Sequence, residues 1–537
     1  MKILSEFEWW KGAVIYQIYP RSFNDANGDG VGDLAGIIDK LDYLQWLGIN
    51  AIWISPIYPS PMADFGYDIS DYCGIEPIFG GFTDFDKLLD MVHSRNMKLI
   101  MDLVPNHTSN EHPWFLSSRS SKSDPKRDWY IWKDAGADGR PPNNWRSVFG
   151  GSAWEWEEET GQFYYHGFLS AQPDLNWRNE QVQEAMLNVM QFWLDKGVDG
   201  FRVDVIWHMI KDDQFRNNPV NPEYEPNMPG YDELIPVFST DQPEVHDVIR
   251  KMRSLLDRYS DRMMIGEVYL PLQKLMLYYG TDLQGAHMPF NFTLLNVPWK
   301  AQQIGLAIDQ YEGALPAGGW PNWVLGNHDQ HRVLSRIGKE QARVAAILLL
   351  TLRGTPTLYY GDEIAMTDVA VGFDEQQDPQ GLNMPDKNLS RDPARTPMQW
   401  DDTAWSGFSA VRPWLPLAEN YKENNVKSHI ADPASLLNFY LKLINLRQHS
   451  LSLSFGQYVP VIASEQLLAY IRKAEKDSPY LVILNLSHMP AKFITQSEQF
   501  LGRIVFSTNP NLIGQRFNSI HLLGADEALI IKLKENK

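Results

Sequence analysis

Four strand-like runs of the sequence end in polar side chains that could do chemistry, and each of these clusters contains a carboxylate. A single carboxylate at the end of a strand is more often a helix cap or a surface charge, so one cluster alone would indicate little. Several carboxylates held together are electrostatically costly and are seldom useful except for catalysis or metal binding. The clusters are Asp102 to His107, Arg202 with Asp204, Glu267, and His328 with Asp329.

The clusters in GFRVDVIW and IGEVY could divide the work of an acid and a base. Arg202 lies two residues before Asp204 on one strand, so both side chains point to the same side of the sheet. We expect this arginine to lower the pKa of Asp204, and desolvation after an apolar strand to raise the pKa of Glu267. One ionised and one protonated carboxyl, about 5–5.5 Å apart, are what retaining cleavage of a glycosidic bond requires.

The two histidines of these clusters could instead bind a transition metal. Neither His107 nor His328 belongs to a His-x-x-x-His pair, and His328 next to Asp329 does not have the spacing of ligands on a helix. The sequence therefore disfavours zinc and predicts chemistry without a catalytic metal.

A separate oxygen-rich loop, FNDANGDGVGDL, covers residues 23–34. Its polar residues follow an EF-hand loop at positions 1, 3, 5, 6 and 9, but Gly36 stands at position 12, where the EF-hand has a bidentate Glu. A strand-like run, AVIYQIYP, precedes it where an EF-hand would have a helix. We predict a structural calcium or magnesium loop of another architecture, with a cation-free Asp/Gly turn as the alternative. The side chains concerned are Asp25, Asn27, Asp29 and Asp33.

Short apolar runs alternate with amphipathic helical stretches through the first two thirds of the chain, which is typical of parallel strands joined by helices. Eight such units favour a closed (β/α)8 TIM barrel, in which the polar strand ends meet at one mouth. An open doubly wound sheet is the alternative, but no glycine-rich phosphate motif follows the first strand. The predicted strands lie within residues 13–20, 51–59, 98–108, 200–207, 263–269, 286–292, 323–329 and 355–363.

Two further segments break the alternating pattern. Residues 107–175 are polar and rich in Trp and Pro, and they are too long for a plain loop, so we predict a small inserted domain beside the barrel mouth. From residue 455 onwards, alternating runs such as YLVILNLS and EALIIKL predict an antiparallel β-domain. The predicted fold is α/β, with barrel segments 1–106 and 176–454, inserted domain 107–175 and C-terminal domain 455–537.

Composition excludes several classes of partner. The 67 acidic residues exceed the 48 basic ones and give a formal net charge of −19, which disfavours nucleic acid and anionic membranes. The single cysteine, Cys73, permits no internal disulfide and suits a reducing compartment. The N-terminal residues lack a signal-peptide pattern and no later segment resembles a membrane span, so we expect a cytoplasmic protein.

Four motifs carry a resemblance to a known family: DLVPNHTS, GFRVDVIW, GEVY and GNHD, supported by GDGVGDL, QPDLNW and RTPMQW. Their order and approximate spacing resemble those of the α-glucosidases of the α-amylase superfamily, glycoside hydrolase family 13. The resemblance is strongest to the oligo-1,6-glucosidase-like branch. The resemblance implies that Asp204 is the nucleophile, that Glu267 is the general acid and then the base, and that Asp329 binds sugar hydroxyls and favours ring distortion.

The resemblance also implies a set of substrate-binding residues. His107 and His328 would hydrogen-bond the first sugar, Arg202 would steady Asp204, and Tyr67 would form an aromatic platform under the terminal glucose. Asp64 would pair with an arginine of SRDPARTPMQW, for which Arg391 is preferred over Arg395, and this clamp would close the pocket to one glucose at a chain end. Loop packing remains the alternative for Tyr67 and a surface ion pair for Arg391, whereas Asp102 is expected to be a structural hydrogen-bond hub.

The same resemblance places a structural calcium or magnesium ion on the first loop and implies no organic cofactor. Its ligands would be Asp25, Asn27, Asp29, the Val31 carbonyl and Asp33.

The residue after the expected nucleophile is Val205, and the resemblance gives this position a bearing on linkage preference. In family relatives a valine here accompanies cleavage of α-1,6 links, so we expect α-1,6 activity together with some transfer of glucose to other acceptors. A sucrose isomerase or dedicated transglucosylase is the alternative, although NHDQHRVLSRIG lacks the arginine-rich motif associated with sucrose isomerases. A non-catalytic sugar-binding or transporter-associated subunit is disfavoured because all three carboxylates are present. The expected partners are small α-glucosides, and the expected state is a monomer or homodimer.

Overall fold

The computed structural model describes residues 8–495, 500–518 and 520–534. Its strands are β1 (Ile15–Ile18), β2 (Ala51–Ile54), β3 (Lys98–Leu103), β4 (Trp132–Lys133), β5 (Trp154–Glu157), β6 (Gln162–Tyr165), β7 (Gly200–Val203), β8 (Met263–Gly266), β9 (Met288–Asn291), β10 (Asn322–Val324), β11 (Thr355–Tyr359), β12 (Gln457–Ala463), β13 (Leu467–Lys473), β14 (Tyr480–Asn485), β15 (Ala491–Ile494), β16 (Gly502–Ser507), β17 (Arg516–Phe517), β18 (Ile520–Leu523) and β19 (Ala528–Leu533).

Eight parallel strands close into a barrel in the order β1-β11-β10-β9-β8-β7-β3-β2, with β2 paired to β1. Each predicted strand of this barrel is present, although each is shorter than its apolar run, because the runs continue into the loops at the mouth. The closed barrel confirms the predicted fold class and excludes the open doubly wound sheet.

Side chains alternate between the barrel lumen and the surrounding helices, as the two-residue period of a strand requires. The lumen is filled mainly by hydrocarbon and aromatic side chains. At the carboxyl ends of the strands the inward positions become polar: Asp102 follows Ile100 on β3, and Asp102 is paired in register with Arg202 on β7. The apolar lumen residues include Ile15, Ala51, Trp53, Ile100, Met263, Ile265, Met288, Phe290 and Val324.

The helices are α1 (Trp9–Gly12), α2 (Leu34–Asp39), α3 (Leu41–Leu47), α4 (Phe82–Ser94), α5 (Pro113–Ser120), α6 (Glu180–Lys196), α7 (Val245–Leu256), α8 (Leu272–Leu277), α9 (Thr293–Asn296), α10 (Ala301–Ala314), α11 (Val333–Ile337), α12 (Ala342–Thr351), α13 (Pro379–Asn383), α14 (Val426–Ala431), α15 (Leu436–Gln448) and α16 (Leu451–Ser454). The apolar residues at helical spacing from Leu34 to Leu47 predict one helix that stops at Gly48. The structure has two helices that meet at Lys40, and the second ends as predicted at Gly48, whose φ is 94°. No helix within the described ranges is long and apolar enough to cross a lipid bilayer.

The segment between β3 and β7 carries its own small sheet. Strands β4, β6 and β5 form an antiparallel sheet in that order, over a cluster of aromatic residues that includes Trp145 and Trp154. An isolated bridge joins His107 to Asp174, so the two ends of this segment lie together beside the barrel mouth.

After the barrel, antiparallel strands form a six-stranded sheet in the order β12-β13-β14-β19-β16-β17, and β15 pairs with β18. This sheet packs against α10 and α12 of the barrel. The C-terminal antiparallel β-domain is therefore present, whereas the exact domain boundaries stay predictions.

Candidate active site

Neighbouring strands β7 and β8 bring two carboxylates onto one guanidinium at the barrel mouth. Nη1 of Arg202 donates to Oδ1 of Asp204 at 2.6 Å, and Nη2 lies 2.7 Å from Oε2 of Glu267. The same Nη1 also donates to Oδ1 of Asp102 at 2.9 Å. All four side chains are buried. The side chains meet because residue 204, directly after β7, lies on the same side as residue 202, as predicted, and residue 267, directly after β8, continues the inward row of 263 and 265.

Asp102 acts as the structural hub that the sequence predicts. Its Oδ2 accepts from Trp53 Nε1 at 3.2 Å and from the Tyr67 hydroxyl at 3.1 Å, while its backbone carbonyl accepts from Tyr58. Asp102 therefore fixes Arg202 from behind and does not line the cavity.

Burial controls the ionisation of this cluster. It raises the pKa of Asp204 well above its ordinary value, and the attraction of Arg202 does not outweigh burial and the negative charges of Glu267 and Asp102. The expectation that Arg202 leaves Asp204 with a lowered pKa is therefore wrong. Burial also raises the pKa of Glu267, as expected, and raises that of Asp102 to about 7. All three carboxyls around this guanidinium thus bind protons more readily than free carboxyls do.

Asp204 and Glu267 lie close together because each contacts a different nitrogen of the Arg202 guanidinium. This proximity favours the spacing of retaining glycosidases, about 5–5.5 Å, over the 6.5–9.5 Å of inverting ones.

Asp329, on the opposite side of the mouth, stays ionised. Its Oδ1 accepts from Arg391 Nη1 at 3.2 Å and from Arg395 Nη2 at 3.1 Å. Burial alone would raise the pKa of Asp329, but its positive surroundings hold that pKa well below the usual range. The guanidiniums of Arg391 and Arg395 supply this positive charge. The neighbouring His328 ring does not, because burial lowers its pKa well below the usual range and keeps the ring neutral.

Arg391 bridges the loops on both sides of the mouth. Its Nη2 donates to Asp64 Oδ1 at 2.7 Å, as the preferred pairing predicts. Arg395 instead donates through Nε to the His328 carbonyl at 2.8 Å. The carboxylate of Asp378 holds the base of this clamp, accepting from Arg391 Nε at 2.8 Å and from its backbone amide at 2.8 Å. Sequence reasoning missed Asp378, since nothing in DEQQDPQG distinguishes it from a turn residue.

A second missed residue is Gln172, the first residue of the supporting motif QPDLNW. Its Nε2 lies 3.2 Å from Asp64 Oδ2 and 3.2 Å from His107 Nε2. His107 Nε2 also lies 3.1 Å from the Tyr67 carbonyl. Burial lowers the pKa of His107 to about 4, so its ring is neutral at pH 7. The inserted segment thus contributes directly to the wall of the site.

These side chains surround a cavity of about 450 Å³, a size typical of small-molecule sites. Among the residues expected to bind substrate, Arg202, His328 and Arg395 lie behind the wall. The expected residues that line it are Asp64, Tyr67, His107, Asp204, Val205, Glu267, Asp329 and Arg391. Lining residues that the sequence did not single out include Val148, Phe149, Phe168, Trp207, His208, Tyr231, Asp232, Pro236, Thr240, Tyr269, Leu270, Gln330 and Gln380.

The oxygen-rich first loop folds through its own backbone amides. Asp25 accepts from the amides of Gly28 and Gly30 at 2.6 and 2.8 Å, and Asp33 accepts from that of Gly36 at 2.6 Å, which caps α2. In the described part of the chain, no three Asp, Glu, His or Cys side chains are grouped so that they could hold a metal ion. All potential donors in this loop are oxygens, however, which is the donor chemistry that calcium and magnesium prefer. The cation stays a prediction.

Comparison with known proteins agrees with this geometry. A family model described as alpha amylase, catalytic domain, matches residues 17–456. An oligo-1,6-glucosidase of Parageobacillus thermoglucosidasius is 41% identical over 522 residues, covering 90% of this chain and 92% of that protein.

Two solved structures resemble the whole chain. A structure described as the alpha-glucosyl transfer enzyme XgtA has a TM-score of 0.92 at 39% identity, covering 98% of this chain and 100% of that one. The trehalulose synthase MutB from Pseudomonas mesoacidophila MX-45 has a TM-score of 0.90 at 35% identity, covering 98% and 99%. The chain belongs to the alpha-amylase family, glycoside hydrolase family 13, and is a glycoside hydrolase with oligo-1,6-glucosidase relatives.

Proposed function

We propose that the protein is a retaining, exo-acting α-glucosidase that releases terminal α-glucose from short oligosaccharides. The observation that carries this proposal is the pair formed by Asp204 and Glu267, which share the Arg202 guanidinium at 2.6 and 2.7 Å and face one cavity. A pair of buried carboxyls that holds one proton can supply both an anionic nucleophile and a proton donor.

In the first step, a carboxylate oxygen of Asp204 attacks the anomeric carbon of the terminal glucose. The glycosidic bond breaks as Glu267 gives its proton to the departing oxygen, and a covalent glucosyl-enzyme forms. Arg202 stabilises the Asp204 anion before attack and again when it departs.

In the second step, Glu267 is the base. It takes a proton from a water molecule whose oxygen attacks the anomeric carbon, and the bond to Asp204 breaks. Two displacements at one carbon return the α configuration. When a sugar hydroxyl replaces this water, the same step yields a transfer product.

The far end of the pocket is where we propose that the chain end is recognised. Asp329 stays ionised and can accept hydrogen bonds from hydroxyls of the distorted glucose ring. The ion pair between Asp64 and Arg391 closes the pocket beyond those hydroxyls. A closed end admits one glucose unit, which supports exo action. His107 and Tyr67 line the same wall and complete the first subsite.

We also propose that α-1,6 links are accepted. Val205 follows the nucleophile and lines the cavity, and the relative from Parageobacillus thermoglucosidasius is named an oligo-1,6-glucosidase. An apolar contact at this position discriminates between substrates by about 1–3 kcal/mol, so the preference is expected to be incomplete.

A sucrose isomerase or dedicated transglucosylase is the second candidate, because the similar solved structures include a trehalulose synthase and a glucosyl transfer enzyme. Incubation with maltose, isomaltose and sucrose, followed by chromatography of the products, separates the candidates. Free glucose as the main product supports the α-glucosidase, whereas mainly transferred or isomerised sugars would overturn it.

A non-catalytic sugar-binding role is tested by one substitution. Asp204→Asn should remove nearly all hydrolysis of a nitrophenyl α-glucoside and leave the melting temperature close to that of the parent. Asp247→Asn, which breaks an exposed ion pair with Arg250, is the matched control and should keep full activity. Full activity in Asp204→Asn would refute the assignment.

For the first loop, we propose a structural calcium or magnesium ion held by Asp25, Asn27, Asp29, the Val31 carbonyl and Asp33. The ion would brace the loop after β1, and no catalytic step passes through it.

A further inference from the structure

Each ring nitrogen of His328 has a close polar partner. Nδ1 lies 2.7 Å from Nε2 of Gln17, and Nε2 lies 2.7 Å from the Tyr67 hydroxyl. Oδ2 of Asp329 is a further 3.3 Å neighbour of Nε2. His328 is buried in the loop after β10, and Gln17 is buried on β1, 311 residues earlier in the chain.

The groups around Nε2 determine where the ring proton lies. The Asp329 carboxylate is ionised beside Arg391 and Arg395, so it can only accept. The Tyr67 hydroxyl has one proton, and Asp102 Oδ2 accepts it at 3.1 Å. Nε2 therefore faces two acceptors and must carry a hydrogen. Burial lowers the pKa of His328 well below the usual range, so the ring has only one proton and Nδ1 must accept.

Gln17 is the donor that Nδ1 requires. It points into the barrel lumen from the same face of β1 as Ile15, where the neighbouring side chains are mainly hydrocarbon. Its Oε1 has no hydrogen-bond partner among the described residues, and its other polar contact is Ser55 Oγ at 3.4 Å. Burying an amide without full hydrogen bonding is unfavourable, and a methionine would fill similar space without that cost. The hydrogen bond to His328 Nδ1 is therefore the contact that glutamine can make at position 17 and methionine cannot.

We infer that Gln17 is a positioning residue that holds the His328 ring in its orientation as the Nε2–H tautomer, so that Nε2–H faces the Tyr67 hydroxyl and the Asp329 carboxylate. A donor at Nδ1 is compatible only with this neutral tautomer, because Nδ1–H and the amide N–H would repel each other. The ring can then donate from Nε2 toward Tyr67 and Asp329, which both line the cavity, without taking up a further proton. The tautomer itself does not depend on the proposed function, whereas its effect on sugar binding through Tyr67 and Asp329 does.

The first test is ¹⁵N nuclear magnetic resonance of protein labelled at histidine nitrogen, with His328→Asn used to assign the signal. The expected result near pH 7 is a neutral ring protonated at Nε2. A ring protonated at Nδ1, or at both nitrogens, would overturn the inference. This readout is available even if the protein hydrolyses no glucoside, so a failure of the proposed function is distinguishable from a failure here.

The second test is kinetic and uses Gln17→Met, with Asn322→Ala as the matched control. Asn322 is another fully buried lumen amide, bonded to Thr355 and Thr357 on β11 and making no hydrogen bond to His328. In Gln17→Met we expect kcat/KM for a nitrophenyl α-glucoside to fall at least tenfold, whereas Asn322→Ala should stay within twofold of the parent and lower the melting temperature at least as much. An unchanged kcat/KM in Gln17→Met, or an equal loss in both variants, would contradict a positioning role.

Discussion

The backbone amide of Val205 donates a 2.9 Å hydrogen bond to Oε2 of Glu267, across the neighbouring strands β7 and β8. The residue after the proposed nucleophile therefore holds the proposed acid–base carboxylate as well as lining the cavity. Val205 makes this contact from the left-handed region, with φ at 35°, which is uncommon for a β-branched residue. Such strain is kept where the surrounding structure fixes it, typically at functional sites.

Val205→Thr tests the proposed link between this residue and linkage. Threonine is also β-branched and nearly the same size, so the backbone and the amide bond to Glu267 should be preserved. Its hydroxyl changes the polarity of the wall beside the leaving group. We expect the ratio of kcat/KM for isomaltose to that for maltose to fall about 10- to 200-fold at most.

Hydrolysis of a nitrophenyl α-glucoside is the internal control for that variant, since it reports the catalytic pair independently of linkage. An unchanged isomaltose-to-maltose ratio with normal nitrophenyl glucoside hydrolysis would show that Val205 does not set the preference.

Arg391→Lys tests the clamp. Lysine keeps the positive charge but cannot donate at once to Asp64, Asp329 and Asp378 as the guanidinium does. We expect kcat/KM to fall about 10- to 100-fold, the size of one or two lost charged hydrogen bonds. Arg250→Lys, at an exposed ion pair, is the control and should behave as the parent. Equal kcat/KM for parent and Arg391→Lys would remove Arg391 from substrate binding.

The pH dependence of kcat/KM should reflect burial of the catalytic pair. Burial raises the pKa of Asp204 above its ordinary 3.8, and Asp204 must be ionised to act as the proposed nucleophile. As pH falls through the raised pKa, Asp204 takes up a proton and activity is lost. We therefore expect the midpoint of the acid limb well above pH 3.8, measured after checking that the protein stays folded at each pH. A midpoint at or below 3.8 would contradict the effect of burial.

The fold was predictable because its signals are local. Each barrel strand is a short apolar run, and each polar cluster stands at the end of such a run. The alternation of strand-like and helical segments and their number were therefore enough to predict a closed barrel. The break at Lys40 was missed because the apolar spacing from Leu34 to Leu47 continues through it. Precise strand ends were also missed, since pairing stops where the loops turn into the mouth.

The site was predictable only where residue type and motif coincide. Asp204, Glu267 and Asp329 follow strands in recognisable motifs, but Asp378 and Gln172 act through loops that fold back over long separations. The raised pKa of Asp204 depends on how many carboxyls the barrel buries around Arg202, which adjacent sequence does not reveal. Cytoplasmic location and oligomeric state stay predictions.

Removal of divalent cations tests the proposed ion. A bound ion stabilises only the folded state, by about 2.7 kcal/mol when its free concentration is a hundred times Kd. We expect a chelator to lower the melting temperature by about 2 °C and added calcium or magnesium to restore it. Asp29→Asn should weaken that response, because the exposed Asp29 side chain would lose charge toward the ion. A melting temperature unaffected by chelation would favour a cation-free turn.

The covalent intermediate tests the central claim most directly. Glu267→Gln cannot supply the base for the second step, so this variant should accumulate a glucosyl-enzyme when it is given a nitrophenyl α-glucoside, whose leaving group needs little protonation. Peptide mass spectrometry should then find one added hexose on the peptide that contains Asp204. A hexose attached to another residue, or rapid glucose release by this variant without an adduct, would contradict the proposed roles of Asp204 and Glu267.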